Sequence, residues 1–218
     1  MDQFASINQG QQPVLFMGEP LGQARAAMVM VHGRGATAED ILELAIELNR
    51  TGFAYLAPQA ANNSWYPQSF LAPIASNEPW LSSALDRLST VLQRVEEGGI
   101  PRERTILLGF SQGACLALEF AARHAQRYGG VAALSGGLIG PDGTPRDYPG
   151  SFAGTPVFLG CSDRDPHIPK GRVQQSAEVL RRLGADVTMR LYPNMGHMVN
   201  QDEIDFVGGM MAALIALE

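Results

Sequence analysis

The sequence predicts an α/β fold in which a mostly parallel sheet is covered by helices on both faces. Three observations carry this. Six short apolar runs suit fully buried strands, amphipathic helical patterns stand between them, and the two kinds of segment alternate along the chain. Alternation of this kind implies right-handed crossovers and hence parallel pairing. The 218 residues, 45% hydrophobic and 17% charged, fit one large domain spanning residues 1–218, with a sizeable core and no disordered tract. No repeat, charge run or low-complexity linker divides them.

The first strand is expected at Ala26–Val31. After it, Thr37-Ala38-Glu39-Asp40 ahead of Ile41, Leu44, Ala45 and Leu48 has the form of a capping box opening an amphipathic helix. A second strand, Phe53–Ala57, leads into a long aromatic connection. Leu81, Ala84, Leu85, Leu88, Val91, Leu92 and Val95 then recur at helical steps of three and four, and Gly98-Gly99 stops that helix. The third strand, Thr105–Phe110, runs into Ala114–Leu118, which starts a buried helix. Strands at Val131–Leu134 and Pro156–Gly160 precede a helix on Val173, Ala177, Leu180 and Leu183, closed by Gly184. The last strand is Val187–Tyr192, and Ile204, Val207, Met211 and Leu214 mark a C-terminal helix.

Charge and targeting signals exclude several classes. With 16 basic against 22 acidic residues the net charge is −6, and no basic cluster offers a footprint for a phosphate backbone, so nucleic acid is not an expected partner. Met1-Asp2-Gln3-Phe4-Ala5 lacks the positive and apolar regions of a secretory signal, which leaves a cytoplasmic address as the expectation. The longest uncharged apolar stretch, Phe206–Leu217, falls short of the roughly 20 residues a membrane span needs. Cys115 and Cys161 are expected as buried small apolar residues rather than a disulfide.

In such a sheet the chemistry belongs at the carboxyl ends of the strands. At the end of Thr105–Phe110 stands Gly109-Phe110-Ser111-Gln112-Gly113, the pattern of a nucleophile elbow. The motif alone is weak, arising by chance about 0.14 times in a chain of this composition. Its position between a buried strand and an apolar helix gives it weight; the bland alternative is a packing turn with an idle serine. A serine hydroxyl needs an imidazole to take its proton and a carboxylate to orient that imidazole, here in the order Ser, acid, His. Of the four histidines, His32 and His124 have the wrong order and His167 lies two residues past the best acid. His197 follows the last strand and is the expected base. For the acid, both Asp163 and Asp165 stand at a strand end; Asp165 is preferred because Pro166 fixes the chain after it, Asp163 being read instead as an acceptor of turn N–H groups or a partner of Arg164. The Gln112 N–H is one expected oxyanion donor, and the Arg34 N–H in Val31-His32-Gly33-Arg34-Gly35 the second. The Arg34 side chain is either a plain surface arginine or a group favouring substrates with a carboxylate.

Taken together, His32-Gly33-Arg34-Gly35, Gly109-Phe110-Ser111-Gln112-Gly113, Asp165-Pro166 and Gly196-His197 resemble the phospholipase/carboxylesterase family of α/β-hydrolases over nearly the whole chain. The resemblance implies an α/β-hydrolase fold without a large cap domain and a cofactor-free serine hydrolase acting on carboxylic esters or thioesters. Lysophospholipase or acyl-protein thioesterase activity, and a non-catalytic binding protein on the same fold, are the alternatives. Two departures, Cys161-Ser162 where thioesterase-like members usually carry His-Gly and Arg34-Gly35-Ala36 in the oxyanion loop, point to the bacterial carboxylesterase-like branch.

The connection between Ala57 and Leu81 carries Trp65, Tyr66, Phe70 and Trp80. Loops this long are usually functional. Trp65, Phe70 and Trp80, joined by Met195 and Met198 from the histidine loop, are expected to wall an acyl pocket; the alternative is that these aromatics form the loop's own core. No metal-ligand spacing is present. The expected partner is a small-molecule ester, with a homodimer left open.

Overall fold

The computed structural model describes residues 9–216. Seven strands form one sheet in the order β1-β3-β2-β4-β5-β6-β7. They are β1 Val14–Gly18, β2 Ala26–Val31, β3 Phe53–Pro58, β4 Thr105–Phe110, β5 Gly130–Leu134, β6 Pro156–Ser162 and β7 Asp186–Tyr192. All neighbouring pairs are parallel except β1 with β3. The five helices are α1 Ala38–Leu48, α2 Trp80–Glu97, α3 Gln112–Arg123, α4 Lys170–Arg182 and α5 Gln201–Ala216. This is an α/β-hydrolase fold.

Period-two alternation divides each central strand between two apolar layers. In β2, Ala27, Val29 and Val31 join Leu88 of α2, Leu118 of α3 and Leu180 of α4 on one face. Ala26, Met28 and Met30 join Leu42 of α1 and Met211 of α5 on the other. Because both faces are covered, the central strands read as continuous apolar runs rather than alternating ones. Helix α1 begins as its sequence predicts: the Thr37 side chain accepts from the Asp40 N–H and the Asp40 carboxylate accepts from the Thr37 N–H.

The edges differ from the sequence reading. β1 was not among the six expected runs. It is five residues long, two of them exposed and none fully buried, and it pairs antiparallel without a helical crossover, so neither length nor alternation marks it. β7, expected as fully buried, is half-exposed along its length because only β6 pairs with it. Cys115 and Cys161 are buried and free, as expected. Among the described residues, no helix is long and apolar enough to cross a membrane.

Helix α5 carries a buried acid. Glu203 is fully buried, and its Oε2 accepts the Asn200 N–H at 2.9 Å while Oε1 has no partner. A Cβ on Gly160 would overlap that carboxylate, so the glycine in β6 makes room for the Glu203 side chain. Burial pushes the Glu203 carboxyl up to about 7. A raised carboxyl favours the protonated folded state, so its stabilising contribution is full below the ordinary carboxylate range and is lost as pH rises through about 7. Glu203→Gln is therefore expected to be more stable than the wild type at pH 8 by about 3 kcal/mol, the advantage fading toward pH 5. Urea unfolding at the two pH values checks this; an equal advantage at both would contradict it.

Candidate active site

The site is built where β4 turns into α3. Ser111 has φ 54° and ψ −118°, a region that side chains with a Cβ rarely enter. It is held there by its own N–H on Leu134 O at 2.9 Å and by the Cys115 N–H on its carbonyl at 3.0 Å. The turn closes so tightly that a Cβ on Gly113 would overlap Val31 O, and one on Gly109 would overlap Gly113 O. None of these restraints uses the Ser111 hydroxyl, which is left to other partners at the carboxyl end of the sheet.

His197 reaches that hydroxyl from the loop between β7 and α5. Its Nε2 is 2.8 Å from Ser111 Oγ and its Nδ1 is 2.7 Å from Asp165 Oδ2. The Asp165 carboxylate is completely buried, and its Oδ1 accepts N–H groups from His167 at 2.8 Å and Ile168 at 3.0 Å. Burial alone would raise its pKa. The hydrogen bonds from His197 and the two amides outweigh that and hold the carboxyl below its ordinary value. An ionised carboxylate only accepts, so Nδ1 carries the imidazole proton and Nε2 is left to accept from Ser111. The Phe110 ring, 5.0 Å from the imidazole, packs against it.

The two aspartates that the sequence leaves as alternatives have separate partners. Asp165 meets the imidazole, whereas Asp163 Oδ1 accepts the Asn194 N–H at 2.8 Å at the start of the histidine loop. Ser162 Oγ accepts the Gly196 N–H at 3.2 Å. Thus the end of β6 supplies the acid and also ties down the loop carrying the base. The sequence offers Asp163 as an acceptor of turn N–H groups, and the one it takes belongs to the distant histidine loop rather than to its own turn; Ser162, which carries no motif of its own, was missed.

The loop after β2 approaches from the other side. His32 is fully buried; its Nδ1 donates to Gly33 O at 2.8 Å and its Nε2 accepts the Ala60 N–H at 3.0 Å. Burial lowers its pKa, so it stays a neutral strut. Gly35 N–H donates to Asn63 O at 2.7 Å. Among the described residues, the Arg34 N–H has no acceptor within the chain, and Gln112 opens α3, where the first amides have no helical partner. The Gln112 side chain braces the aromatic connection, its Oε1 accepting the Trp65 N–H at 2.9 Å and its Nε2 donating to Tyr66 O at 2.8 Å.

A cavity of about 420 Å³ opens over Ser111 and His197. Phe70, Tyr66, Arg34 and His167 line it. Of the five expected wall residues Phe70 is there, and Trp65, Trp80, Met195 and Met198 are not. Trp65 is fully buried in the core between the sheet and α2, and its indole N–H donates to His32 O at 2.9 Å, so it supports the oxyanion loop from beneath. Trp80, in the first turn of α2, packs half-buried against the same core. Met198 is 55% exposed, and the Met195 sulfur accepts an N–H from Asn200, which turns it toward the start of α5. For the tryptophans, the main core between the sheet and α2 proved the better sink for apolar area, rather than the cavity wall or a separate core within the loop. Cys115 lines the cavity floor, but burial pushes its thiol up to about 12, so it does not compete as a nucleophile. Among the described residues, no group of three His, Cys, Asp or Glu side chains converges on a possible metal position.

The Phospholipase/Carboxylesterase family model matches residues 14–215. The chain belongs to this family. Its fold superposes on the crystal structure of a phospholipase/carboxylesterase from Dyadobacter fermentans with a TM-score of 0.89 and 44% identity, covering 93% of this chain and 97% of that one. Acyl-protein thioesterase 1 of Gibberella zeae is 33% identical over 126 residues, 54% of this chain and 51% of the relative, so the match spans about half that protein's length. Acyl-protein thioesterase 1 of Debaryomyces hansenii is 25% identical over 203 residues, covering 83% of this chain and 88% of that protein. Family membership places the chain among hydrolases of the phospholipase/carboxylesterase type.

Proposed function

We propose that the chain is a serine hydrolase of small or medium carboxylic esters that works through an acyl-serine intermediate. The observation that carries this is the unbroken Ser111–His197–Asp165 chain, with links of 2.8 and 2.7 Å, opening on a cavity of about 420 Å³. His197 Nε2 takes the hydroxyl proton as Ser111 Oγ attacks the ester carbonyl. Asp165 stabilises the imidazolium so formed. The Arg34 and Gln112 N–H groups receive the negative oxygen of the tetrahedral intermediate, and their fixed backbone positions require no reorganisation as charge develops. The protonated His197 then gives its proton to the departing alcohol or thiol. Water, deprotonated by the same imidazole, attacks the acyl-serine and releases the acid. No step in this cycle calls for a cofactor, and residues 1–218 act as one cytoplasmic domain.

Two measurements on one sample test the reading. A fluorophosphonate probe is expected to label the wild type at Ser111, and p-nitrophenyl esters are expected to be cleaved fastest with short and medium acyl chains, the rate falling for long ones that the cavity cannot hold. Folded wild-type protein that stays unlabelled would overturn the serine mechanism, and rates that climb through palmitoyl would overturn the substrate size.

A further inference from the structure

The cavity carries charge of one sign only. Among the described residues, Arg34 is its one permanently charged lining residue, His167 and His197 also face it, and no aspartate or glutamate lines it. On a chain with net charge −6, this is a local cationic spot on an acidic molecule.

The Arg34 guanidinium is fixed there without being neutralised. Its Nη1 donates to Ser64 Oγ at 3.2 Å and Pro67 O at 2.8 Å, and its Nη2 donates to Gln68 O at 2.7 Å. The Tyr66 ring lies 5.9 Å from the guanidinium carbon. All of these partners are uncharged, so they hold the fork in place while leaving its full positive charge at the cavity wall. A guanidinium has five N–H donors. Three are occupied, and the Nε–H and one Nη2–H remain for a ligand. The backbone of the same residue is the proposed oxyanion donor, so an anionic group held by the side chain sits a few bonds from the carbonyl under attack.

We infer that the preferred substrates are esters carrying a second, anionic carboxylate near the scissile bond, bound by the Arg34 side chain. This rests on the serine-esterase reading of the site and names the class of ester it takes. A carboxylate that accepts from a pre-positioned guanidinium loses little ordering entropy on the protein side, and the charge-assisted bond is stronger than a neutral one. The uncharged isostere forfeits it.

The test compares monoethyl succinate with ethyl levulinate, which puts a methyl ketone where the first has its carboxylate, with ethanol release as the readout. Wild-type kcat/KM is expected to be about 10- to 100-fold higher for the anionic ester, the range of one charge-assisted hydrogen-bond set. Arg34→Met is expected to bring the ratio of the two substrates to near one whatever its absolute rates, and Arg34→Lys to retain part of the preference. In the wild type, raising the ionic strength is expected to compress the same ratio, a test that needs no variant to fold. A wild-type ratio of one or below, or a ratio unchanged in Arg34→Met, overturns the inference. Good hydrolysis of ethyl levulinate with no anionic preference removes the specificity and leaves the esterase standing. Failure to cleave either ester, with no fluorophosphonate label, removes both.

Discussion

Ser111→Ala is expected to lower kcat on any ester substrate by about 10⁶-fold, the magnitude seen when a serine nucleophile acting with its histidine is deleted. The variant removes one oxygen and nothing that shapes the elbow: the bonds fixing residue 111 run through its backbone to Leu134 and Cys115. Alanine at φ 54° is as strained as serine, so the melting temperature is expected to stay close to that of the wild type. Residual turnover would come from the oxyanion donors and from binding. Ester hydrolysis and thermal unfolding, measured on the same preparation, check the prediction. A folded variant with more than about a hundredth of wild-type activity would show that another group attacks the ester.

Asp165→Asn is expected to cost about 10⁴ in kcat with little change in KM. The asparagine carbonyl can still accept from the His167 and Ile168 amides, so the turn after β6 survives. Its amide NH₂ then faces His197 Nδ1, which must become an acceptor, and the ring proton moves to Nε2, where it opposes the Ser111 O–H. The base is in place but in the wrong tautomer. Asp163→Asn is the control: it keeps an acceptor for the Asn194 amide and is expected to retain most activity. Steady-state kinetics of both variants separate the two roles, and a larger loss at Asp163 would reverse them.

Legibility in the sequence follows from how much local chemistry each feature requires. The capping box at Thr37 and Asp40, the repeat from Leu81 to Val95 and the buried runs of β2 to β6 obey short-range rules, and the structure has them where those rules place them. β1 obeys none of them strongly, being a short edge strand whose partner, β3, lies some forty residues further on. The separation of Ser111, Asp165 and His197 along the chain is large, yet each occupies the end of a recognisable strand or the loop that follows it, so the topology brings them together. The pocket lining obeys no such local rule. Trp65 and Phe70 lie five positions apart in one irregular loop, and no periodicity tells which aromatic turns to the core and which to the cavity; that is decided by contacts such as the Trp65 indole with His32 O. The braces made by Gln9, whose amide spans Ala61, Ser64 and Trp65, are equally invisible, since the partners sit more than fifty residues away.

The central claim is that Ser111 carries the acyl group between the two halves of the reaction. Rapid acid quenching of the wild type during turnover of p-nitrophenyl acetate, followed by peptide mass spectrometry, tests it most directly. The predicted result is an added acetyl mass on the peptide containing Ser111, absent from Ser111→Ala. Undiminished turnover with the acetyl mass on another residue, or no burst of p-nitrophenol ahead of the steady rate together with no acylated peptide in the Asp165→Asn and wild-type samples alike, would contradict the account.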